Sequence, residues 1–271
     1  MEEQTYYFEL FKELRNMQNV KINEGIFYDE TFAEVYDACT CNIQKELKFY
    51  IDNCHPYNNT VLEIGCGSGR IMTQLAAHNF IMTGVELSKS MVKRLEERLK
   101  TESEEIQKLC SYEIANIFDY ITDKKYGMII IPATTICLLF ENYDISLELL
   151  NKIYLWLDNG GRLVFDYRVY QNIDVAEKSD ITFSNIEKNG MCKFWFFQEF
   201  NNYIKGKSIV NYYLEIIEGE KTNRYVCSVV KKIISTYMIE KLMANTKFKK
   251  IAMSTLNYTN NISTIYVAYE K

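Results

Sequence analysis

The densest run of chemically useful residues is Glu63-Ile64-Gly65-Cys66-Gly67-Ser68-Gly69-Arg70, directly after the apolar Val61-Leu62. Glycine lets a backbone take positive φ and lets a ligand approach where a Cβ would clash. Three glycines in five residues at a strand's end can therefore hold a nucleotide-like ligand at the carboxyl edge of a sheet. In a chain of 271 residues with 11 Gly and 2 Pro, that clustering stands out. No Gly-Lys-Ser/Thr follows, which excludes a phosphate-cradling P-loop. Arg70 stands where the dinucleotide fingerprint needs its third glycine, so NAD or FAD is the lesser reading. Cys66 inside the loop offers a backbone N–H rather than a reactive thiol, because no base or cation is evident beside it.

A second acid closes the next apolar run, Gly84-Val85-Glu86, 17 residues beyond Gly69. A carboxylate at such a strand tip accepts hydrogen bonds from two vicinal ribose hydroxyls. The third run ends Ala115-Asn116-Ile117-Phe118-Asp119, and an amide oxygen there can accept from the exocyclic amine of an adenine. Contacts to a second substrate are expected from the tips of the fourth and fifth runs, at Thr134 and Thr135 and at Asp166, Tyr167 and Arg168. Arg168 suits a carboxylate or phosphate, and equally a surface ion pair.

The elements that must position these residues alternate. Strands are expected at 60–64, 81–86, 110–115, 126–131 and 162–166, and helices at 70–78, 88–100 with Ser88 as N-cap, and 145–157. Alternating strands and helices make a doubly wound α/β core with a parallel sheet, placed at residues 56–170. Before it, helical spacing over 3–17 and 31–54 reads as a helical cap, residues 1–55, ended before Pro56. After it, residues 171–235 hold Tyr- and Phe-rich runs at 193–200, 207–217 and 225–234, read as an antiparallel β insertion. Residues 236–271 supply a closing helix and two strands around Asn260-Asn261. The run Phe194-Trp195-Phe196-Phe197 is aromatic on both strand faces, so it is either buried twice over or covers a partner, which raises a homodimer through that sheet.

Composition narrows the field. Apolar residues make up 48% and charged residues 25%, with 31 basic against 36 acidic side chains for a net charge of −5. A disordered or low-complexity chain is excluded. The acidic balance argues against duplex nucleic acid, which needs clustered Lys and Arg. No apolar run reaches the roughly 18 residues that span a bilayer, and Glu2-Glu3 does not open a secretory signal, so a soluble cytoplasmic protein is expected. Eight cysteines include no Cys-x-x-Cys, and Cys39-Thr40-Cys41 on a helix points its thiols apart, so neither disulfides nor a metal site are expected.

From Thr60 to Asp166 the chain resembles the class I S-adenosylmethionine-dependent methyltransferases. Their acid-x-Gly-x-Gly-x-Gly motif is matched by Glu63, Gly65, Gly67 and Gly69, their second acid by Glu86, and the family's continuation by Leu87-Ser88-Lys89-Ser90-Met91. The third-strand position, most often Asp in the family, is Asn116, which keeps the acceptor and loses the charge. Pro132-Ala133-Thr134-Thr135 and Gly160-Gly161-Arg162 also look like this family, and Phe27-Tyr28-Asp29 and Val35-Tyr36-Asp37 resemble its N-terminal Tyr-Asp segment. The resemblance implies S-adenosyl-L-methionine as cofactor, with S-adenosyl-L-homocysteine as product. It implies a cofactor site of Tyr28, Tyr36, Glu63, Gly65, Cys66, Gly67, Gly69, Glu86, Leu87, Asn116, Ile117 and Pro132. The insertion and closing helix are similar to small-molecule N-methyltransferases that act on aminosugars or glycine.

Methyl transfer from a sulfonium is an in-line displacement that requires neither metal nor covalent intermediate. Candidates at the reacting atoms are Tyr28, Thr134, Thr135, Tyr167 and Arg168. The two histidines, His55 and His78, lie away from the strand tips. That scarcity favours an amine over an oxygen or carbon acceptor, which needs a stronger base. Competing readings are an O- or C-methyltransferase and a non-catalytic S-adenosylmethionine-binding module. A macromolecular acceptor is disfavoured by the acidic balance, and hydride transfer ranks last.

Overall fold

The computed structural model describes residues 6–23, 28, 30–40, 46–140, 142–170, 177–179, 181–188, 190–202, 205–257 and 262–271. Helix α1 (Leu10–Asn16), strand β1 (Val20–Asn23), α2 (Glu30–Thr40) and α3 (Leu47–Asp52) come first. An alternating series follows: β2 (Thr60–Ile64), α4 (Arg70–Ala76), β3 (Ile81–Glu86), α5 (Lys89–Leu99), α6 (Glu104–Leu109), β4 (Cys110–Ile114), β5 (Tyr126–Ile131), α7 (Ile136–Leu139), α8 (Tyr143–Trp156) and β6 (Leu157–Tyr170). Next come β7 (Glu177–Lys178), β8 (Thr182–Lys188), β9 (Met191–Asn202), β10 (Lys207–Glu218) and β11 (Lys221–Lys232). The chain closes with α9 (Thr236–Ala244), β12 (Lys249–Asn257) and β13 (Ile262–Glu270).

Two compact units result, one of residues 1–35 and 172–233, the other of 36–171 and 234–271. The second unit holds a seven-stranded sheet in the order β12-β13-β6-β5-β2-β3-β4, parallel from β6 to β4, with β13 antiparallel to both neighbours. The expected doubly wound α/β core is present. Strand order reverses between β2 and β5, the point at which such sheets open a crevice at their carboxyl ends. Strand alternation divides the core in two. Leu62, Ile64, Ile129, Ile131, Leu163 and Phe165 pack with α8 and α9, while Val61, Met128, Ile130 and Val164 pack with Tyr50 of α3 and Ile71, Met72 and Leu75 of α4. Ser88 caps α5 as expected, its hydroxyl accepting from Met91 N at 3.1 Å. Glu97 of that helix pairs with Arg94 at 3.6 Å.

The other unit is an antiparallel ladder, β11-β10-β9, extended by β7 and β8 on β9 and by β1 lying parallel to β11. Two sequence expectations are corrected by these elements. The cap over residues 1–55 is not wholly helical, because Val20–Asn23 forms β1 against β11, an edge pairing that local propensity cannot signal. The single helix expected over 31–54 is two, α2 and α3; Cys41, like Phe27, Asp29 and Asn260-Asn261, lies outside the described residues. The aromatic run is taken up on both faces: Trp195 and Phe196 are buried, Phe196 stacks on Tyr213, and Phe197 packs on Tyr212. Phe194 keeps 36% exposure. Cys54, Cys66, Cys110, Cys192 and Cys227 are not in disulfides, and among the described residues no helix is long and apolar enough to cross a membrane.

Candidate functional site

The glycine loop links β2 to α4 at the switch point. Gly65 N and Cys66 N both donate to Val85 O of β3, at 2.8 and 3.3 Å, and Gly69 N donates back to Cys66 O at 2.9 Å, which closes the turn. Gly69 has φ +76° at the start of α4, and a Cβ there would lie 2.1 Å from Leu95 Cδ1. Gly65 has φ +72°, and a Cβ on it would approach Thr135 Cγ2 to 2.8 Å, so the Thr134-Thr135 turn lies against the loop. The Cys66 thiol is buried, and burial, with Glu63 and Glu86 nearby, pushes it well above the ordinary thiol range. It is not a nucleophile.

Glu86 stands at the tip of β3 and accepts from two backbone groups, Gly67 N at 2.9 Å and Ser88 N at 2.8 Å, one on each carboxylate oxygen. A carboxylate oxygen can accept two hydrogen bonds, so pinning the loop does not by itself exhaust Glu86 as an acceptor for a diol. Leu87 beside it is 57% exposed, whereas Ile117 and Pro132 are buried. Asn116 is exposed, and its side-chain oxygen accepts from Phe118 N at 3.1 Å. That short Asx turn takes one of the two lone pairs of the oxygen expected to face an exocyclic amine.

After β5, Ala133 and Thr134 take φ of +57° and +58° in succession, a conformation costly for residues with a Cβ and rare for a β-branched one. Asp166 holds it there, its Oδ2 accepting from Thr134 N at 2.9 Å, while Thr135 Oγ1 donates to Pro132 O at 2.6 Å. Strained backbone held by a buried side chain is characteristic of functional sites. Asp166 and Arg168 share one face of β6. Tyr167 between them points to the other, where it is 2% exposed in the core with Phe165 and Tyr269. Its alternation and burial remove Tyr167 from the groups that meet a substrate.

Several polar contacts here are not read from the sequence. Asp37 of α2 accepts from Ser68 Oγ of the glycine loop, from Arg98 Nη2 at 2.8 Å and from Arg94 Nε at 3.2 Å, and Arg98 Nε donates to Ser68 O at 2.9 Å. The signal available was Arg94 and Arg98, one turn apart on α5. Glu46 and Arg70 form a buried ion pair at 2.7 Å. Tyr36, half-buried, acts electrostatically on Arg70. Tyr28 is half-buried and belongs to the other compact unit. His55 and His78 bond to the backbone at Asn159 O and Gln74 O, away from the loop. Among the described residues, no three His, Cys, Asp or Glu groups are spaced to hold a metal ion.

Comparison with known proteins finds methyltransferases that match part of this chain. Residues 61–161 match the family profile of the methyltransferase domain. A putative methyltransferase of Geobacillus sp. is 28% identical over 167 residues, 60% of this chain and 63% of that protein. The chain spans less than two thirds of the length of the curated relatives it matches. Among solved structures, a sugar N-methyltransferase from Streptoalloteichus sp. superposes with a TM-score of 0.74 at 14% identity, covering 92% of this chain and 96% of that one. An amino pentose methyltransferase from Micromonospora echinaspora, solved with S-adenosylmethionine bound, gives 0.65 at 11% identity over 90% and 99%. At these identities the likeness is one of fold.

Proposed function

We propose that the chain, whose residues 61–161 match the profile of a methyltransferase domain, is an S-adenosylmethionine-dependent methyltransferase acting on a small-molecule acceptor, with an amine nitrogen as the acceptor atom. The observation that carries this reading is Glu86 at the tip of β3, bridging Gly67 N and Ser88 N beside a loop whose three glycines all take positive φ. The residues present fit the cofactor. The loop offers backbone without side chains for a nucleoside's amino-acid arm, Glu86 offers a carboxylate for the ribose diol, and Leu87 and Ile117 flank the base position with apolar surface. The Asn116 oxygen keeps a second lone pair for an exocyclic amine.

When bound, this cofactor supplies an electrophilic methyl group on a sulfonium. The protein's part is to hold an acceptor in line with it and to keep water out, and near-attack positioning of two reactants is worth roughly 7–11 kcal/mol. Thr134 and Thr135, fixed by Asp166 and Pro132, present hydroxyl and backbone groups at the switch point. Arg168, on the Asp166 face, can steer an anionic part of the acceptor. The nitrogen acceptor rests on the absence of a histidine at the strand tips and on the fold shared with a sugar N-methyltransferase and an amino pentose methyltransferase.

Calorimetric titration of the purified protein with S-adenosylmethionine, S-adenosylhomocysteine and NAD tests the reading. Micromolar binding of the first two is expected, weakened at least tenfold in Glu86→Gln, whose fold is checked by circular dichroism. Binding of NAD alone, or of none of the three, overturns it.

A further inference from the structure

Within the glycine loop, residues 65–69, only Cys66 and Ser68 carry side chains, and only Ser68 brings a hydroxyl. The first part of the loop is held by β3, where Gly65 N and Cys66 N donate to Val85 O. In the second part, Gly67 and Gly69 take φ of +55° and +76° on either side of Ser68. Glycine loses more conformational freedom on ordering than any other residue, so this stretch keeps a single shape only where something outside it supplies the hold.

Two carboxylates supply that hold. Glu86 Oε2 accepts from Gly67 N at 2.9 Å. Asp37, near the end of α2, takes the next residue: its Oδ1 accepts from Ser68 Oγ at 2.5 Å and from Arg98 Nη2 at 2.8 Å, while Arg98 Nε donates to Ser68 O at 2.9 Å. Ser68 is therefore gripped at both hydroxyl and carbonyl, by a carboxylate and a guanidinium that are themselves paired. Ser68 is 4% exposed and the side chains of Asp37 and Arg98 are 14% and 22% exposed, so water competes little for these charge-assisted bonds. Arg94 joins the cluster on its far side, donating through Nε to the other oxygen, Asp37 Oδ2, at 3.2 Å.

The division of labour matters because Glu86 has two tasks. The carboxylate that fits a ribose diol is the same one that fixes Gly67. A loop fixed by Glu86 alone would loosen whenever a ligand's hydroxyls drew on that carboxylate. The grip on Ser68 does not depend on Glu86.

We propose that Asp37, with Arg98, is a positioning residue of the ligand site, which holds the Gly67-Ser68-Gly69 backbone through Ser68 in its binding shape before a ligand arrives. Order imposed in advance does not have to be created on binding, and such preorganisation raises affinity without any new contact to the ligand. Only the choice of ligand rests on the methyltransferase reading. The state of the loop is a property of the free protein.

Two measurements test this, both made well below each variant's unfolding midpoint. Amide exchange of Gly67 and Gly69 is followed by NMR in the ligand-free protein, and the affinity for S-adenosylhomocysteine by calorimetry. Ser68→Ala and Arg98→Met should each speed exchange of the two amides about tenfold, as local opening becomes easier. Each should weaken the ligand about five- to tenfold, the cost of ordering one residue's backbone. Asp37→Asn, which keeps an oxygen for the Ser68 hydroxyl, should weaken it less than Asp37→Ala. The double variant Asp37→Ala/Ser68→Ala should bind no worse than the weaker single by more than about twofold, because both cut the same link. Arg94→Met removes an ion pair from Asp37 and leaves the bonds of Ser68 in place; it should lower stability in urea and change affinity and exchange by less than about twofold. A merely structural cluster would make Arg94→Met and Arg98→Met alike. Ser68→Ala deletes one oxygen and spares the ion pairs, so it carries the test should a charge variant fail to fold. Unchanged exchange and affinity in Ser68→Ala, or equal losses in Arg94→Met and Arg98→Met, overturn the proposal. If S-adenosylhomocysteine does not bind the wild-type protein, the methyltransferase reading falls, and exchange of Gly67 and Gly69 decides the role of Asp37 by itself.

Discussion

Single residues set the shape of the glycine loop, and the three glycines are not equivalent. At Gly69 both backbone and space exclude a side chain, since a Cβ would meet the fully buried Leu95 at 2.1 Å with φ at +76°. The left-handed conformation costs an L-residue about 1–2 kcal/mol, and overpacking the core adds about 1–3 kcal/mol. Gly69→Ala is therefore expected to lower stability by several kcal/mol in urea denaturation and to weaken S-adenosylmethionine binding at least tenfold. Gly67→Ala meets the flexible end of Met91 at 3.3 Å and should be milder in both measurements. Equal effects would show that loop conformation, not packing on α5, decides. These glycines and Glu86 were legible in the sequence because type and spacing alone specify them. Asn116 and Tyr167 were legible only as positions. The first turns its oxygen onto its own backbone, and the second falls on the wrong face of β6, which the alternation with Asp166 already implied.

At the scale of elements, α5 and the end of α2 are joined to the glycine loop by one carboxylate. Asp37 takes Ser68, Arg94 and Arg98 together, with 14% of its side chain exposed. Hydrogen bonds to charged groups are worth about 1.5–3 kcal/mol, and removing Asp37 also leaves two arginines facing one another. Asp37→Ala is expected to lower stability by about that amount in urea denaturation. The Asp37→Ala/Arg98→Ala double variant should lose less than the sum of the singles, the signature of direct coupling; strict additivity would mean that the contact is not energetically used. No periodicity announces such a hub, because Asp37 lies 31 to 61 residues from its partners. The strands and helices of the core were readable for the opposite reason, each being written in its own local period of apolar residues. Strand β1 and the short β7 escaped because polar, brief strands acquire their conformation from a distant partner.

For the molecule as a whole, the buried carboxyls tie folding to pH. Glu63 and Asp166 hold protons up to about 8 and about 7 in the folded chain, whereas in the unfolded chain they release them near the ordinary 4 to 4.5. The folded state thus binds more protons between those limits, and stability must fall as pH rises through that interval, by at most about 1.4 kcal/mol per pH unit for each group. Thermal unfolding between pH 5.5 and 8.5 should show a midpoint that declines with pH, with a shallower decline in Asp166→Asn. A flat profile would mean that the two carboxyls are ionised in the fold.

The parallel pairing of β1 with β11 also imposes an order in time. More than 200 residues separate Val20 from Arg224, its partner in the ladder. At the roughly 5–20 residues per second of ribosomal synthesis, the first strand waits about 10–40 s for the strand it must lie against. Through that interval the α/β sheet's parallel strands, all complete by Tyr170, can assemble while the other unit still lacks its centre. The nascent chain therefore builds the sheet that carries the glycine loop before its own beginning has anywhere to fold.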